Sequence, residues 1–261
     1  MTIHLVQILP DAAQLARFGH SIGLPDSDHG YLWHSALRQT FGVSAPQPFR
    51  VFEPDPTRCS TVQPLRLLGY AAADAAALRA IAARASAVVA GVFPAEHIDS
   101  KTLPRAFGPG LRLRFSVRVC PIVRTASSDG SRKRELDAFV HRALACPGQP
   151  KPDRAAVYRD WLAERFAAGG ATLVEAALTR FRLGALVRRS HASPAGRTLT
   201  LDGDAKRLTA MGKRTAARRP DATLEGVLEV KDSQRFAELL VRGVGRHRAF
   251  GFGMLLLRPA G

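Results

Sequence analysis

From Leu111 to Val119 the chain alternates without a break. Leu111, Leu113, Phe115, Val117 and Val119 fall on one side, and Arg112, Arg114, Ser116 and Arg118 on the other. Successive side chains of a strand point to opposite faces, so this spacing predicts a strand with one dry face and one basic, wetted face. A slip of one residue would turn every apolar side chain to water, so the register of this segment is strongly specified. Pro121 limits it at the C-terminal side.

The flanking sequence suggests what surrounds this strand. Ile3 to Leu9 reads as a buried strand stopped by Pro10, followed by a loop with a short helix at Ala12 to Phe18. Asp28 is placed to cap a helix from His29 or Gly30 to Phe41. Phe49 to Phe52 and Pro64 to Ala71 read as strands, and alanine-rich Asp74 to Val89 as a helix. With Leu111 to Val119 as the closing strand, the order is β-α-β-β-α-β, the ferredoxin-like order, with an insertion at about 84 to 110. Lys133 to Ala145 and Arg154 to Ala168 read as two helices joined by Pro147 to Pro152. A second module follows. Thr172 to Arg189 is strand-like in its later part, Thr223 to Val230 alternates, Ser233 to Val241 is an amphipathic helix, and Phe252 to Leu257 is a last strand. The fold class is therefore α+β: two ferredoxin-like (RRM-like) domains in tandem, with helical insertions and a C-terminal glycine-rich loop. The expected division is 1–124, a helical linker region 125–170, and 171–261.

Charge narrows the partner. Thirty-eight Lys and Arg against 22 Asp and Glu leave a formal net charge of +16. Such an excess points to a polyanion, nucleic acid before an anionic membrane surface. A basic proteome from a GC-rich genome is the plain alternative. Residues 180–219 are the most basic window, eleven Arg and Lys against two Asp, and read as a loop that is mobile until a polyanion orders it. Gly212-Lys213 is followed by Arg214, so it is no P-loop. Three scattered cysteines and the absence of C-x-x-C indicate neither a zinc site nor a disulfide framework. No signal peptide or membrane-length apolar run stands out, so the expected location is a reducing cytoplasm.

Two segments carry the chemistry. The first is Arg242-Gly243-Val244-Gly245-Arg246-His247-Arg248-Ala249-Phe250-Gly251-Phe252-Gly253, with four glycines among three arginines. Glycine permits positive φ and close approach to a ligand, and arginine forks onto phosphate. The third glycine position of a dinucleotide fingerprint holds Arg248, and the loop precedes a strand, so that motif is excluded. The second segment is the helix at 29–41. Tyr31, His34, Ser35 and Arg38 lie at i, i+3, i+4 and i+7 and share a stripe. A phenol, an imidazole and a guanidinium together suit phosphodiester chemistry without a metal. His34 could serve as general base or acid, Arg38 could stabilise the transition-state charge, and Tyr31 could orient the imidazole. A solvated helix face is the other reading of the same spacing. No group of carboxylates and histidines recurs at metal-ligand spacing, and no cofactor is expected.

Taken together these residues resemble a known family. Tyr31-x-x-His34 on the first long helix, the basic strand ending at Pro121, Leu224-Glu225-Gly226-Val227-Leu228-x-Val230 with Asp232, and the closing glycine tail are similar to the CRISPR-associated repeat-processing endoribonucleases of the RAMP superfamily. The CasE type of type I-E systems is the nearest branch, and the processing ribonucleases of type IV systems are the second. The resemblance implies two ferredoxin-like domains, and RNA lying across a basic groove and along the glycine loop. It implies binding of the repeat stem-loop of CRISPR RNA and metal-free cleavage by the 2′-hydroxyl. His34 falls on the family's catalytic histidine and Tyr31 on its partner. Retention of the product in a Cascade-type effector complex is also implied, with no membrane association. Residues expected at the RNA are Arg242, Gly243, Gly245, Arg246, His247, Arg248, Lys213, Arg214, Arg218, Arg219, Arg188, Arg189, Arg112, Arg114 and Arg118. The extra helical sequence near 74–107 and 133–168 departs from the CasE pattern, and arginines such as Arg38 and Arg242 are alternative carriers of the transition-state charge. A non-catalytic RAMP subunit that only binds CRISPR RNA would not need the Tyr31, His34 and Arg38 stripe. An RRM-type binding module is disfavoured because no run matches the aromatic pattern of its central strands.

Overall fold

The computed structural model describes residues 2–24, 29–53, 64–104, 106–126, 133–148, 150–189 and 214–260. The first half runs β1 (His4–Ile8), α1 (Ala12–Ser21), α2 (His29–Phe41), β2 (Phe49–Phe52), β3 (Arg66–Ala71), α3 (Ala75–Ala82), β4 (Ile98–Thr102). The second runs β5 (Arg112–Val119), β6 (Ile122–Ala126), β7 (Lys133–Asp137), α4 (Ala138–Ala145), α5 (Arg154–Ala168), β8 (Ala171–Arg189), β9 (Arg214–Val230), α6 (Ser233–Arg242), β10 (Leu255–Pro259). The first sheet has the order β2-β3-β1-β4 and the second β10-β5-β9-β8, with antiparallel neighbours throughout. Each half places its first strand between its third and fourth, which is the ferredoxin-like order twice over. β6 and β7 form a separate hairpin.

The helices start where the sequence supplies a cap. The carboxylates of Asp11, Asp74, Asp137, Asp153 and Asp232 each accept from a backbone N–H in the first turn of α1, α3, α4, α5 and α6. Asp28, expected to cap α2, lies outside the described residues.

Several expectations about strands are corrected. The alternating segment does form a strand, but β5 pairs with β10 and β9 of the second sheet instead of closing the first. Its dry face decides this. Leu113, Phe115, Val117 and Val119 join one core with Tyr158, Trp161, Leu162 and Phe166 of α5 and Phe236, Leu239 and Leu240 of α6. Phe115 meets Phe166 edge-on, with ring centroids 5.1 Å apart. The first sheet is closed by β4, inside the stretch read as an insertion. Of its five residues only Ile98 is buried, so no alternation marks it. The segment 133–145 is also divided, strand to Asp137 and helix after it. The flanks of the basic window are strands as well. β8 and β9 pair from Ala171↔Val230 out to Arg189↔Arg214. Residues 190–213, Lys213 included, lie outside the described residues.

The first half has its own core, with Val6, Ile8 and Leu67 of the sheet against Trp33, Ala36, Leu37 and Phe41 of α2 and Leu78 of α3. The halves meet through apolar packing, with Tyr70 in the core of the second half and Ile3, Leu5 and Leu68 against it, and through a few polar bonds. The Tyr70 hydroxyl donates to the Leu255 carbonyl at 2.6 Å, and burial pushes that phenol well above its ordinary range. Arg50 Nη1 donates to Ser116 Oγ at 2.8 Å, and that hydroxyl donates to Glu225 Oε1 at 3.0 Å. No helix among the described residues is long and apolar enough to cross a membrane.

Candidate active site and nucleic-acid interface

α2 is held by burial of Trp33, Ala36, Leu37, Thr40 and Phe41. That anchorage leaves Tyr31, His34 and Arg38 on its other side. Tyr31 meets His34 edge-on, ring centroids 6.3 Å apart. On its other flank His34 faces Phe250 at 5.5 Å. Phe250 belongs to a 3-10 turn, Arg248–Phe250, inside the glycine-rich loop. The helix and the loop, more than two hundred residues apart in sequence, therefore meet at the imidazole. Partial burial lowers the pKa of His34 below the ordinary 6.5, and the Arg38 guanidinium adds to the shift. The imidazole is thus mostly neutral at pH 7 and can take a proton. Arg38 is exposed and donates through Nη1 to the Gly42 carbonyl at 2.8 Å. A cavity of about 310 Å³ opens beside it, lined from both halves by residues including Thr2, Gln47, Tyr70 and Val241.

The glycine loop is packed against the protein itself. Gly243, Gly245, Gly251 and Gly253 all have positive φ. A Cβ on Gly253 would stand 2.5 Å from the Val244 carbonyl oxygen, and one on Gly245 would stand 2.8 Å from the Trp161 ring. Both distances are shorter than real contacts allow, so glycine is required here by close protein packing. The loop is closed by Val244 N donating to the Gly253 carbonyl at 2.8 Å and Gly253 N donating to the Arg118 carbonyl at 2.7 Å. His247 takes the left-handed conformation at φ 60° and is buried.

The basic residues sort into two sets. Arg118 forks onto Asp221, Nε to Oδ1 at 2.7 Å and Nη2 to Oδ2 at 2.8 Å, and lies over the Phe252 ring. Arg182 shares the same carboxylate at 2.6 Å. Burial opposes ionisation of Asp221, but the hydrogen bonds and charges of Arg118 and Arg182 outweigh it and hold its pKa below the ordinary value. Arg219, Arg246 and His247 all converge on Glu135, whose side chain is only 6 % exposed. Arg112 pairs with Glu229 at 3.3 Å. In the second set Arg114, Arg218 and Arg242 are exposed, and Arg248 is half-buried and donates to the Arg242 carbonyl. Partial burial and the charges of Arg242 and Arg246 lower the Arg248 pKa. Arg188, Arg189 and Arg214 lie in the β8–β9 ribbon.

Sequence reasoning did not find Glu135, Asp221 or the wall role of Phe250. Glu135 sits in a stretch read as helix, and a lone carboxylate carries no motif. The profile of a CRISPR-associated protein family matches residues 3–259. The chain belongs to that family. No curated protein matches it. Among solved structures it is similar to the CRISPR endoribonuclease Cse3 bound to a 19-nucleotide RNA, at 19 % identity and a TM-score of 0.61, covering 99 % of this chain and 100 % of that one. Thermus thermophilus Cse3, bound to an RNA representing a pre-cleavage complex, is similar at 18 % identity and a TM-score of 0.60, with the same coverage. A chain of a CRISPR RNA-guided surveillance complex follows at 17 % identity and a TM-score of 0.54, covering 98 % of this chain and 99 % of that one. At these identities the likeness establishes the fold: the tandem ferredoxin-like architecture of the family.

Proposed function

We propose that this CRISPR-associated protein is a metal-independent endoribonuclease that binds the repeat stem-loop of precursor CRISPR RNA, cleaves it, and stays with the product as a subunit of a Cascade-type effector complex in the cytoplasm. The observation that carries the reading is the seat of His34. One face of α2 presents an imidazole whose base form is favoured, flanked by Tyr31 and by Phe250 of the glycine loop, with Arg38 one turn along. Family membership and the fold shared with RNA-bound Cse3 support the choice of RNA.

The reaction needs no redox partner. The 2′-hydroxyl oxygen attacks the adjacent phosphorus and its proton passes to a base, for which neutral His34 is suited. The bond from phosphorus to the 5′-oxygen breaks, and that oxygen takes a proton. The products are a 2′,3′-cyclic phosphate and a 5′-hydroxyl. Charge on the pentacoordinate transition state calls for a fixed cation, a role this reading assigns to Arg38.

Incubation of purified protein with its repeat RNA in EDTA, followed by end mapping, tests this. Expected are a single cut and the two named ends. A strict magnesium requirement would remove the mechanism, and tight binding without cleavage would leave a non-catalytic RNA-binding subunit.

A further inference from the structure

Behind the glycine loop lies a polar centre that the reaction above does not use. The side chain of Glu135, on β7, is enclosed, and three cationic or protonatable groups converge on it from two directions. From β9, Arg219 places Nη2 3.2 Å from Glu135 Oε2, while its Nη1 donates to the Glu135 carbonyl at 2.8 Å. From the loop, Arg246 Nε lies 3.0 Å from Oε1 and His247 Nε2 3.4 Å from Oε2. A buried carboxylate is costly unless matched by opposite charge, and a matched one resists displacement of its partners. Arg246 and His247 directly precede the turn that carries Phe250. The Phe250 N–H donates to the His247 carbonyl at 2.9 Å, and the two rings lie 6.3 Å apart. Phe250 in turn faces His34 at 5.5 Å.

We infer that Glu135 is a positioning residue for His34: by gripping Arg246 and His247 it fixes the turn whose Phe250 walls the imidazole. The chain of contact runs from β7 through the loop to α2 and joins the second half of the molecule to the site on the first. Glu135 itself touches neither His34 nor any reacting atom. Its importance for cleavage rests on the endoribonuclease reading; its hold on the surroundings of His34 does not. The charged groups around this path are Arg38 on α2, Arg242, Arg246 and Arg248 at the loop, and Arg219 on β9.

The test uses the full chain and two readouts. NMR titration of histidine-labelled, RNA-free protein follows His34, assigned by the signal missing from His34→Gln. Single-turnover cleavage of the repeat RNA in EDTA is measured across pH. In Glu135→Gln the turn loosens, water reaches the imidazole, and the His34 midpoint rises toward 6.5. The plateau rate then falls roughly tenfold, as small misplacements of a reacting group do. Glu135→Asp keeps the charge on a shorter stem and falls between. Glu238→Gln removes one charge from the exposed face of α6 and moves neither readout. A folded Glu135→Gln whose His34 signals and midpoint stay at their original values overturns the inference, even if its rate or stability drops. Should Glu135→Gln not fold, Glu135→Asp decides: an intermediate midpoint supports the inference and an unmoved one overturns it. If the unaltered protein does not cut, the proposed function fails while the titration still settles the role of Glu135.

Discussion

The two halves share one strand order but not one kind of interior. In the first half the sheet and α2 meet through apolar side chains, and among the described residues its charged contacts lie at the surface, Arg79 with Asp99 and His29 beside Glu53. In the second, beside an apolar core, buried carboxylates each gather two or more cationic or protonatable partners, Asp221 under Arg118 and Arg182, Glu135 under Arg219, Arg246 and His247. The topology was repeated; the chemistry was not. The first half contributes the imidazole, and the second contributes a braced loop and most of the positive charge.

That division can be broken experimentally, starting with the largest effect. His34→Ala should lower single-turnover cleavage roughly a thousandfold, within the usual range for loss of a general acid or base, while RNA affinity measured by filter binding stays the same. A full rate in that variant would move the chemistry to arginines such as Arg38 and Arg242. Next comes a matched pair of carboxylates. Asp221→Ala strands two guanidinium groups and should cost about 3 kcal/mol in urea unfolding. Asp99→Ala, which breaks the exposed pair of the first half, should cost less than about 1 kcal/mol. Equal losses would erase the contrast between the two interiors.

A pair of glycines separates packing from backbone strain. Gly253→Ala meets the Val244 carbonyl at 2.5 Å as well as an unfavourable φ, and should cost roughly 3 kcal/mol. Gly110→Ala has the same kind of φ with open space around it and should cost about 1 kcal/mol. Among the arginines, Arg114→Gln and Arg218→Gln should each reduce the salt slope of RNA binding by about 1, since an exposed guanidinium that meets a phosphate releases counterions. Arg118→Gln should change stability with little change in slope, because Asp221 already holds that charge. The smallest effect concerns pH. His34 must be neutral to act as base, so the rate falls as pH drops through its pKa, and that limb should lie below 6.5. Arg38→Gln removes a cation that lowers this pKa, so the limb should move to higher pH. A limb unchanged in position would detach Arg38 from His34.

Much of this was readable from residue order. The helix at 29–41 and the strands at 4–8, 49–52 and 66–71 follow from apolar patterning, and the glycine loop from its composition. Two of the misreadings show why the rest was not legible. β4 is an edge strand with one buried residue, and no period-two pattern survives there. β5 shows its pattern plainly, but pairing partners are a property of the folded sheet, and α5 and α6, which cover its dry face, come later in the chain. The site was half legible for the same reason. Tyr31, His34 and Arg38 announce themselves by helical spacing, whereas Phe250 and Glu135 matter only through contacts made across the whole molecule. The arginines of the tail were visible as charges; which of them a carboxylate already holds was not.

The meeting of His34 with Phe250 also orders events in time. During synthesis α2 leaves the ribosome early, and the turn that walls its imidazole follows only after the long β8–β9 ribbon and α6. A nascent chain that has made the first sheet holds the His34 imidazole without the Phe250 wall. On the proposed mechanism, cutting competence arrives as a late step, when the loop docks, and chains stalled before it do not cleave RNA.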